Sequence, residues 1–151
     1  MKRILLIIIS GIFLIACHST KKSTGNTNKI IESNVADLNG NWQLQMLFAS
    51  DNTWQKIPFL NINLKEQTFS GNSGCNSIRG KFTIADNYFG FDKNIISTKM
   101  ACLDANSNQK EKAFLSTLLK VNKYTINKDE MELGQGEIVL MKFKRIQTML
   151  P

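Results

Sequence analysis

Short segments in which apolar and polar residues alternate recur through most of this 151-residue chain, and they constrain its fold more than any other feature. A period of two is typical of a β-strand that buries one face. The pattern predicts strands at 42–48, 60–64, 68–70, 78–84, 88–91, 124–126, 131–133 and 138–144. In the first of these, we expect four apolar side chains to share the buried face: Trp42, Leu44, Met46 and Phe48.

One segment breaks the strand pattern and predicts an α-helix. Asn108 and Glu111 are three residues apart, which is the spacing of an N-terminal capping box. The helical spacing predicts a buried face and an outer face, formed respectively by Phe114, Leu115, Leu118 and Val121 and by Lys110, Lys112, Thr117 and Lys120. Regularly spaced strands with one helix predict an α+β fold that is mainly β: a curled antiparallel sheet, or partial barrel, with one α-helix.

The N-terminus has the parts of an export signal. Lys2 and Arg3 precede an apolar run over residues 4–16, which ends in the sequence Leu14-Ile15-Ala16-Cys17. This ending resembles a bacterial lipobox, where the leader is removed and the cysteine carries diacylglycerol and an N-acyl chain. As a helix the run spans roughly 20 Å, short of the ~30 Å hydrocarbon core, so a transmembrane anchor is disfavoured. A plain cleaved signal is the alternative.

The leader divides the chain into three expected segments. These are a lipoprotein signal peptide at 1–16, the lipidated Cys17 with a flexible tether at 17–37, and one folded domain at 38–147. The tether begins with a polar stretch that cannot bury enough apolar surface to fold alone. His18 follows the cysteine, where lipoproteins retained in the inner membrane carry an aspartate. Resemblance to such sorted lipoproteins therefore predicts the outer membrane, facing the periplasm.

Lipidation of Cys17 would leave two cysteines in the domain, Cys75 and Cys102. In an oxidising compartment two remaining cysteines most simply form a disulfide. Closing the loop between them would restrict the unfolded chain by about 3–4 kcal/mol. The alternative is a reactive thiol or a metal site, but the only histidine, His18, lies in the tether. We therefore expect no metal and no cofactor beyond the covalent lipid.

The chain is basic, with 19 lysines and arginines against 12 acids and a formal net charge of +7. Without Lys2 and Arg3 of the leader, 17 basic residues remain against 12 acids, so the balance is +5. The basic residues are spread along the chain, and export removes contact with nucleic acid, so no nucleic-acid partner is expected. The expected partners are the membrane, through the anchor, and an envelope protein or lipid.

The sequence offers little for catalysis, and we predict that the protein is not an enzyme. General acid–base chemistry needs two groups brought together with tuned pKa values. The acids of the domain, Glu111 among them, mostly fall in predicted turns or on faces expected to be exposed. The segment Gly71-Asn72-Ser73-Gly74 lacks the Gly-Lys-Ser/Thr that completes a phosphate-binding loop.

Three segments of the domain carry a family resemblance. They read LNGNWQL at 38–44, FSGNSGCN at 69–76 and ISTKMAC at 96–102, and a closing Phe143-Lys144-Arg145 follows. In this order and spacing they resemble the META domain family, which includes HslJ-like bacterial heat-shock lipoproteins. The resemblance implies a conical antiparallel sheet or partial barrel with one helix, similar to the small pilot lipoproteins of secretion systems. It also implies an envelope protein without established catalytic activity, associated with stress responses and, for some members, antibiotic tolerance.

The matching segments hold the candidate functional residues, which are Gly71, Ser73, Gly74, Asn76, Thr98 and Met100. The two glycines suit a turn with positive φ or a close backbone approach. The amide of Asn76 can bond nearby backbone groups, and Met100 is expected to fill core space. This corner is predicted to be structural, with ligand contact as the alternative.

Three functions follow from these expectations. The leading one is a non-enzymatic envelope lipoprotein, stress- or envelope-related, that acts through protein contacts. The second is a carrier of a lipid or small hydrophobic molecule inside the barrel, as in pilot lipoproteins. The third is an inhibitor of a hydrolase or secretion component, acting through an exposed edge strand or loop. The first two differ in whether the barrel interior is open or filled by Trp42, Phe69, Phe82, Phe89 and Phe114.

Overall fold

Nine β-strands, a 3-10 turn and one α-helix form the part of the chain that the computed structural model describes, residues 34–48, 50–86, 88–102 and 105–147. The 3-10 turn is Val35–Leu38 and the helix α1 is Ala105–Leu118. The strands are β1 Gly40–Leu47, β2 Phe59–Asn63, β3 Thr68–Asn72, β4 Ser77–Ala85, β5 Tyr88–Phe91, β6 Ile96–Ser97, β7 Lys123–Asn127, β8 Glu130–Gln135 and β9 Ile138–Ile146. The predicted signal peptide (1–16), Cys17 and the tether up to residue 33 lie outside the described residues.

All strand pairs are antiparallel, and the sheet curls until its ends approach each other. The strand order is β5-β4-β3-β2-β1-β9-β8-β7, and the short β6 also pairs with β4, at Ile78 and Arg79. At the ends, the backbone N–H of Phe89 donates to the carbonyl of Asn122 at 3.2 Å, and the rings of Phe89 and Tyr124 lie 5.5 Å apart. The sheet is therefore a nearly closed barrel with one helix, which confirms the predicted fold class.

The barrel interior is filled by aromatic and aliphatic side chains. Phe69 and Phe91 meet edge to face with ring centroids 4.9 Å apart, and Phe89 contacts both Phe91, at 5.1 Å, and Phe82, at 5.3 Å. All five aromatic residues named from the sequence are buried: Trp42, Phe69, Phe82, Phe89 and Phe114. Close packing of this kind is what stabilises a single-core domain.

One strand of the barrel departs from the predicted alternation. In β1, Leu44 pairs with Phe143 and Met46 pairs with Lys142, so Gln45 is an extra residue. Such a bulge reverses the side that later residues face. Leu47 is consequently buried, whereas Met46 is 40% exposed and Phe48 is 54% exposed. The prediction that Met46 and Phe48 share the buried face of β1 was wrong.

The helix also differs from its prediction at its start and on its faces. It begins at Ala105, so Asn108 lies inside it, and Glu111 is buried. Phe114 and Leu118 are buried as expected, but so is Thr117, which was expected outside. The Thr117 hydroxyl donates to the carbonyl of Ala113 at 2.7 Å, so its polar group is bonded within the helix and its methyl group can pack inward. Among the described residues, no helix is long and apolar enough to cross a bilayer.

A contact between Trp42 and Arg145 joins the start of the domain to its last strand. The indole N–H of Trp42 donates to the carbonyl of Leu38 at 2.9 Å. The Arg145 guanidinium lies 4.1 Å from the indole centroid and donates to the carbonyls of Asn39 and Asp37. These four contacts fix the 3-10 turn against β1 and β9.

Replacing Arg145 with alanine should lower the free energy of unfolding by about 1–2 kcal/mol, because the cation–π contact and two hydrogen bonds are lost together. Arg145→Lys should lose most of the same energy, since an ammonium cannot reproduce the planar fork. Urea unfolding followed by circular dichroism measures both. The matched control is Lys144→Ala at the exposed neighbouring position, which should change stability by less than about 0.5 kcal/mol. Equal effects at the two positions would contradict the assigned contacts.

Candidate functional site

Four of the candidate residues meet at the turn between β3 and β4, and the side chain of Asn76 connects them. Its Oδ1 accepts hydrogen bonds from the Thr98 hydroxyl at 2.8 Å and from the Met100 backbone N–H at 2.6 Å. Its Nδ2 donates to the Met100 carbonyl at 3.3 Å. Ser73, in the same turn, donates its backbone N–H to the carbonyl of Asn76 at 2.9 Å. The side chain of Asn76 thus fixes the segment after β6 against this turn.

A buried carboxylate from the helix completes the group. Glu111 is only 9% exposed, and it accepts hydrogen bonds from the Ser73 hydroxyl, from the Asn76 N–H at 3.2 Å and from Asn76 Nδ2 at 2.8 Å. We call this group the Asn76 corner and define it as Ser73, Asn76, Thr98, Met100 and Glu111. Its polar groups are matched: no described buried side-chain nitrogen or oxygen lacks a partner.

The placement of Glu111 corrects the prediction that the acids lie on exposed faces. A signal for this was present in the sequence. Glu111 stands three residues before Phe114 and seven before Leu118, so it shares their helical face. The capping-box spacing with Asn108 favoured the wrong role, because α1 begins three residues before Asn108.

The two candidate glycines have different roles. Gly71 lies within β3, not in the turn, and a Cβ there would stand 2.0 Å from the carbonyl oxygen of Phe59. Gly74 lies in the turn with φ +103°, and a Cβ there would meet the Trp54 ring at 2.8 Å. Gly74 therefore combines positive φ with a close approach to the β1–β2 loop, whereas Gly71 lies outside the Asn76 corner.

Cys75 and Cys102 form a disulfide beside this corner. Their sulfur atoms are 2.13 Å apart and their Cα atoms 5.8 Å apart, so the bond joins the β3–β4 turn to the segment before α1. Both sulfurs also lie close to the Glu111 carboxylate, within a three-residue group of metal-ligand type. Because bonded sulfurs are not thiolates, the disulfide leaves a single carboxylate, which does not by itself make a metal site.

Met100 is placed differently from its prediction. It was expected to fill core space, but its side chain is 59% exposed. The preceding residue, Lys99, has φ +53°, which is uncommon for a residue with a side chain. The Asn76 bonds to the Met100 backbone hold this turn, and the side chain of Met100 points to the surface.

The chemistry available in the corner is structural. Ser73 and Glu111 form a hydroxyl–carboxylate pair, but the Ser73 side chain is fully buried and its hydroxyl is already bonded to the carboxylate. A nucleophile must reach a substrate atom, and this hydroxyl has no exposed surface from which to do so. The corner positions the backbone around it.

Next to the corner, Lys110 of α1 forms an ion pair with Asp51 at 2.9 Å. The N–H of Thr53, 3.0 Å from the carboxylate, and the ammonium group of Lys110 hold the pKa of Asp51 at about 2, below its ordinary 3.8. Because the folded pKa is lowered, this contact stabilises the fold above pH 3.8 and is lost as the pH falls through about 2.

We expect Lys110→Ala to raise the pKa of Asp51 toward, but not to, its ordinary value, because the Thr53 N–H bond remains. Carboxyl-carbon NMR titration of the wild type and the variant measures this directly. Lys112→Ala, two residues along the same helix and exposed, is the control and should leave the titration unchanged. An Asp51 pKa that is the same in the wild type and Lys110→Ala would show that the ion pair does not form in solution.

Comparison with known proteins identifies a family and structures of similar fold. A family model described as the META domain matches residues 34–148. An NMR structure of a protein from Burkholderia xenovorans is 22% identical, covers 72% of this chain and 83% of its own, and has a TM-score of 0.55. A second NMR structure is 16% identical, covers 74% of this chain and 92% of its own, and has a TM-score of 0.55. At these identities the likeness is one of fold alone. Among curated proteins, none matches the chain.

Proposed function

Because the chain belongs to the META domain family, we propose that it is a lipid-anchored, non-enzymatic protein of the cell envelope that acts through contacts with other proteins. The single observation that carries the location is the sequence Leu14-Ile15-Ala16-Cys17 at the end of an apolar leader. With His18 after the cysteine, the proposed location is the outer membrane, facing the periplasm. A stress- or envelope-related role is part of the same proposal, on the basis of the family.

The packed interior supports protein contact over the carriage of a small molecule. A carrier of an acyl chain needs an apolar cavity, and the space that it would use here is occupied by buried aromatic rings. Admitting a ligand would require several of these rings to move, and each large core side chain contributes several kcal/mol to stability. The outer surface is therefore the part of the domain that is available for contact with other proteins.

The buried corner supports a non-enzymatic role. The Ser73–Glu111 pair is closed to solvent, and the cysteines are joined to each other. Neither arrangement offers a free nucleophile or an open metal position.

Metabolic labelling with an alkyne analogue of palmitate tests the anchor. The wild-type protein should incorporate the label and fractionate with membranes, and Cys17→Ser should lose the label and leave the membrane pellet with its domain folded. The matched control is Cys75→Ser/Cys102→Ser, which removes the other two cysteines and should keep the label. A labelled Cys17→Ser protein, or one that stays in the pellet, would refute the lipobox assignment.

Native mass spectrometry of gently extracted protein separates protein contact from carriage. We expect the mass of the chain with its covalent lipid and no further adduct. A reproducible extra mass of lipid size, retained under every extraction condition, would favour the carrier.

A further inference from the structure

The geometry points to a peptide-binding groove over the disulfide, and we propose that it binds an extended acidic peptide segment of a partner protein. This inference rests on the proposed function in one respect, that the domain acts through protein contacts. We call the feature the disulfide groove and define it by Lys56, Gly74, Cys75, Met100, Ala101 and Cys102.

The groove is large enough for several residues of an extended chain. Its volume is about 530 Å³, and its lining includes the disulfide, the backbone of Gly74 and Ala101. A second hollow of about 330 Å³, lined by Thr53, Trp54 and Lys110 among others, shares Gln55 and Ser107 with it. The two hollows adjoin at these shared residues, between the β1–β2 loop and the start of α1.

The rim of the groove is held in an uncommon backbone conformation. Lys99 has φ +53°, an unfavourable conformation for a residue with a side chain that persists only where the surroundings over-determine it. Here the side chain of Asn76 binds the residues on both sides, Thr98 and Met100, and Asn76 is itself held by the buried Glu111. The buried network thus keeps Met100 exposed at the edge of the groove. An unbranched, polarisable methionine adapts well to apolar side chains of a bound peptide.

Charge selects the class of peptide. Among the described residues that line the two hollows, the charged side chains are Lys56 and Lys110, and both are cations. Lys99 adds a third cation next to the rim. The ammonium group of Lys110 is paired with Asp51 and also donates to the carbonyl and hydroxyl of Thr53, so it is satisfied within the domain. Lys56 and Lys99 form no ion pair with a described residue. Acidic side chains in the partner would complement them, and the positive net charge of the chain would speed the encounter.

A larger hollow elsewhere in the described part of the domain does not select a ligand in this way. It measures about 690 Å³ and lies on the outer face of β2, β3 and β4. Its lining carries Arg79 and Lys81 but also Glu66 and Asp92, so its charges favour neither sign.

Selection from a display library of random 12-residue peptides tests the proposal, with the full-length anchored protein in detergent micelles as the target. We expect enrichment of peptides that carry Asp or Glu on either side of an apolar residue. Fluorescence anisotropy then measures the dissociation constant of the most enriched peptide. The variant Lys56→Glu/Met100→Ala should weaken binding about 10-fold or more, because it reverses a charge and removes an apolar contact.

The matched control is Lys93→Glu/Met46→Ala, which makes the same two changes at exposed positions away from the groove and should shift affinity less than about 2-fold. Circular dichroism checks that both variants are folded. Failure to enrich peptides, or enrichment of basic ones, would overturn the proposal. The proposal would also be overturned if the Lys56→Glu/Met100→Ala variant left peptide binding unchanged and instead weakened binding to phosphatidylglycerol vesicles. The same holds if it weakened only the formation of a dimer of this chain. If acidic peptides bound the groove variant and the control variant equally well, the disulfide groove would not be the binding site, but the proposed function through protein contacts would be unaffected.

Discussion

Replacing Glu111 with alanine should lower the free energy of unfolding by about 3–4 kcal/mol. Three hydrogen bonds to the buried carboxylate are lost, those from the Ser73 hydroxyl, the Asn76 backbone N–H and Asn76 Nδ2. The Ser73 hydroxyl and Nδ2 keep the carbonyls of Asn76 and Met100 as acceptors, and the backbone N–H of Asn76 loses its partner. A buried donor left without a partner costs about 1–3 kcal/mol, and neighbouring losses are not fully additive. Urea unfolding followed by far-UV circular dichroism measures the change.

The conservative variant Glu111→Gln should lose less stability, because its carboxamide oxygen still accepts a hydrogen bond. It should still be less stable than the wild type, because its NH2 group replaces the second acceptor oxygen and faces other donors. Glu66→Ala, at an exposed position, is the matched control and should change stability by less than about 0.5 kcal/mol. If Glu111→Ala and Glu66→Ala were equally stable, the carboxylate would not be the centre of the corner in solution.

Removing the disulfide should have an effect of similar size. Cys75 and Cys102 are 27 residues apart, so releasing the bond returns about 3–4 kcal/mol of chain entropy to the unfolded state. The variant Cys75→Ser/Cys102→Ser should therefore unfold at a lower urea concentration. Wild-type protein in excess dithiothreitol provides the matched comparison and should unfold at nearly the same concentration as the variant.

The native fold should survive this loss, because Glu111 and Asn76 hold the same turn through bonds that need no sulfur. Amide chemical shifts should change around the turn and the 98–102 segment and remain constant across β7–β9. Unfolding of the variant in the absence of urea, or stability equal to that of the oxidised wild type, would each contradict this account.

Much of the fold was predictable because the strands obey a local rule. Leu60 and Ile62, or Met131 and Leu133, are buried because alternate residues of a strand face the same side, and that rule needs only sequence. The regular spacing of the strands around one helix predicted the partial barrel, and the family resemblance implied the same closure. The bulge at Gln45 was not predictable in this way, since it depends on the register between β1 and a strand about a hundred residues later.

The sequence identified most residues of the Asn76 corner but missed the buried carboxylate that they bind and the exposure of Met100. Ser73, Asn76 and Thr98 were identified together, and in the structure both Ser73 and Thr98 donate to Asn76. Glu111 was missed because a carboxylate at a helix start was assigned to capping, and burial of a charge depends on partners that lie far along the chain. Met100 was misplaced because the positive φ of Lys99 is imposed by a side chain 23 residues earlier and not by local propensity.

The hydrogen bonds from Arg145 to the first residues of the domain have a mechanical consequence. Under the proposed anchoring, tension from the membrane would enter the domain at the 3-10 turn, whose Asp37 carbonyl and following Asn39 carbonyl are held by Arg145. The turn leads directly into β1, which is paired on one side with β2 and on the other with β9. A pull along β1 would load both hydrogen-bond ladders in shear, so that many bonds resist together and the domain is protected from being unzipped by its own tether.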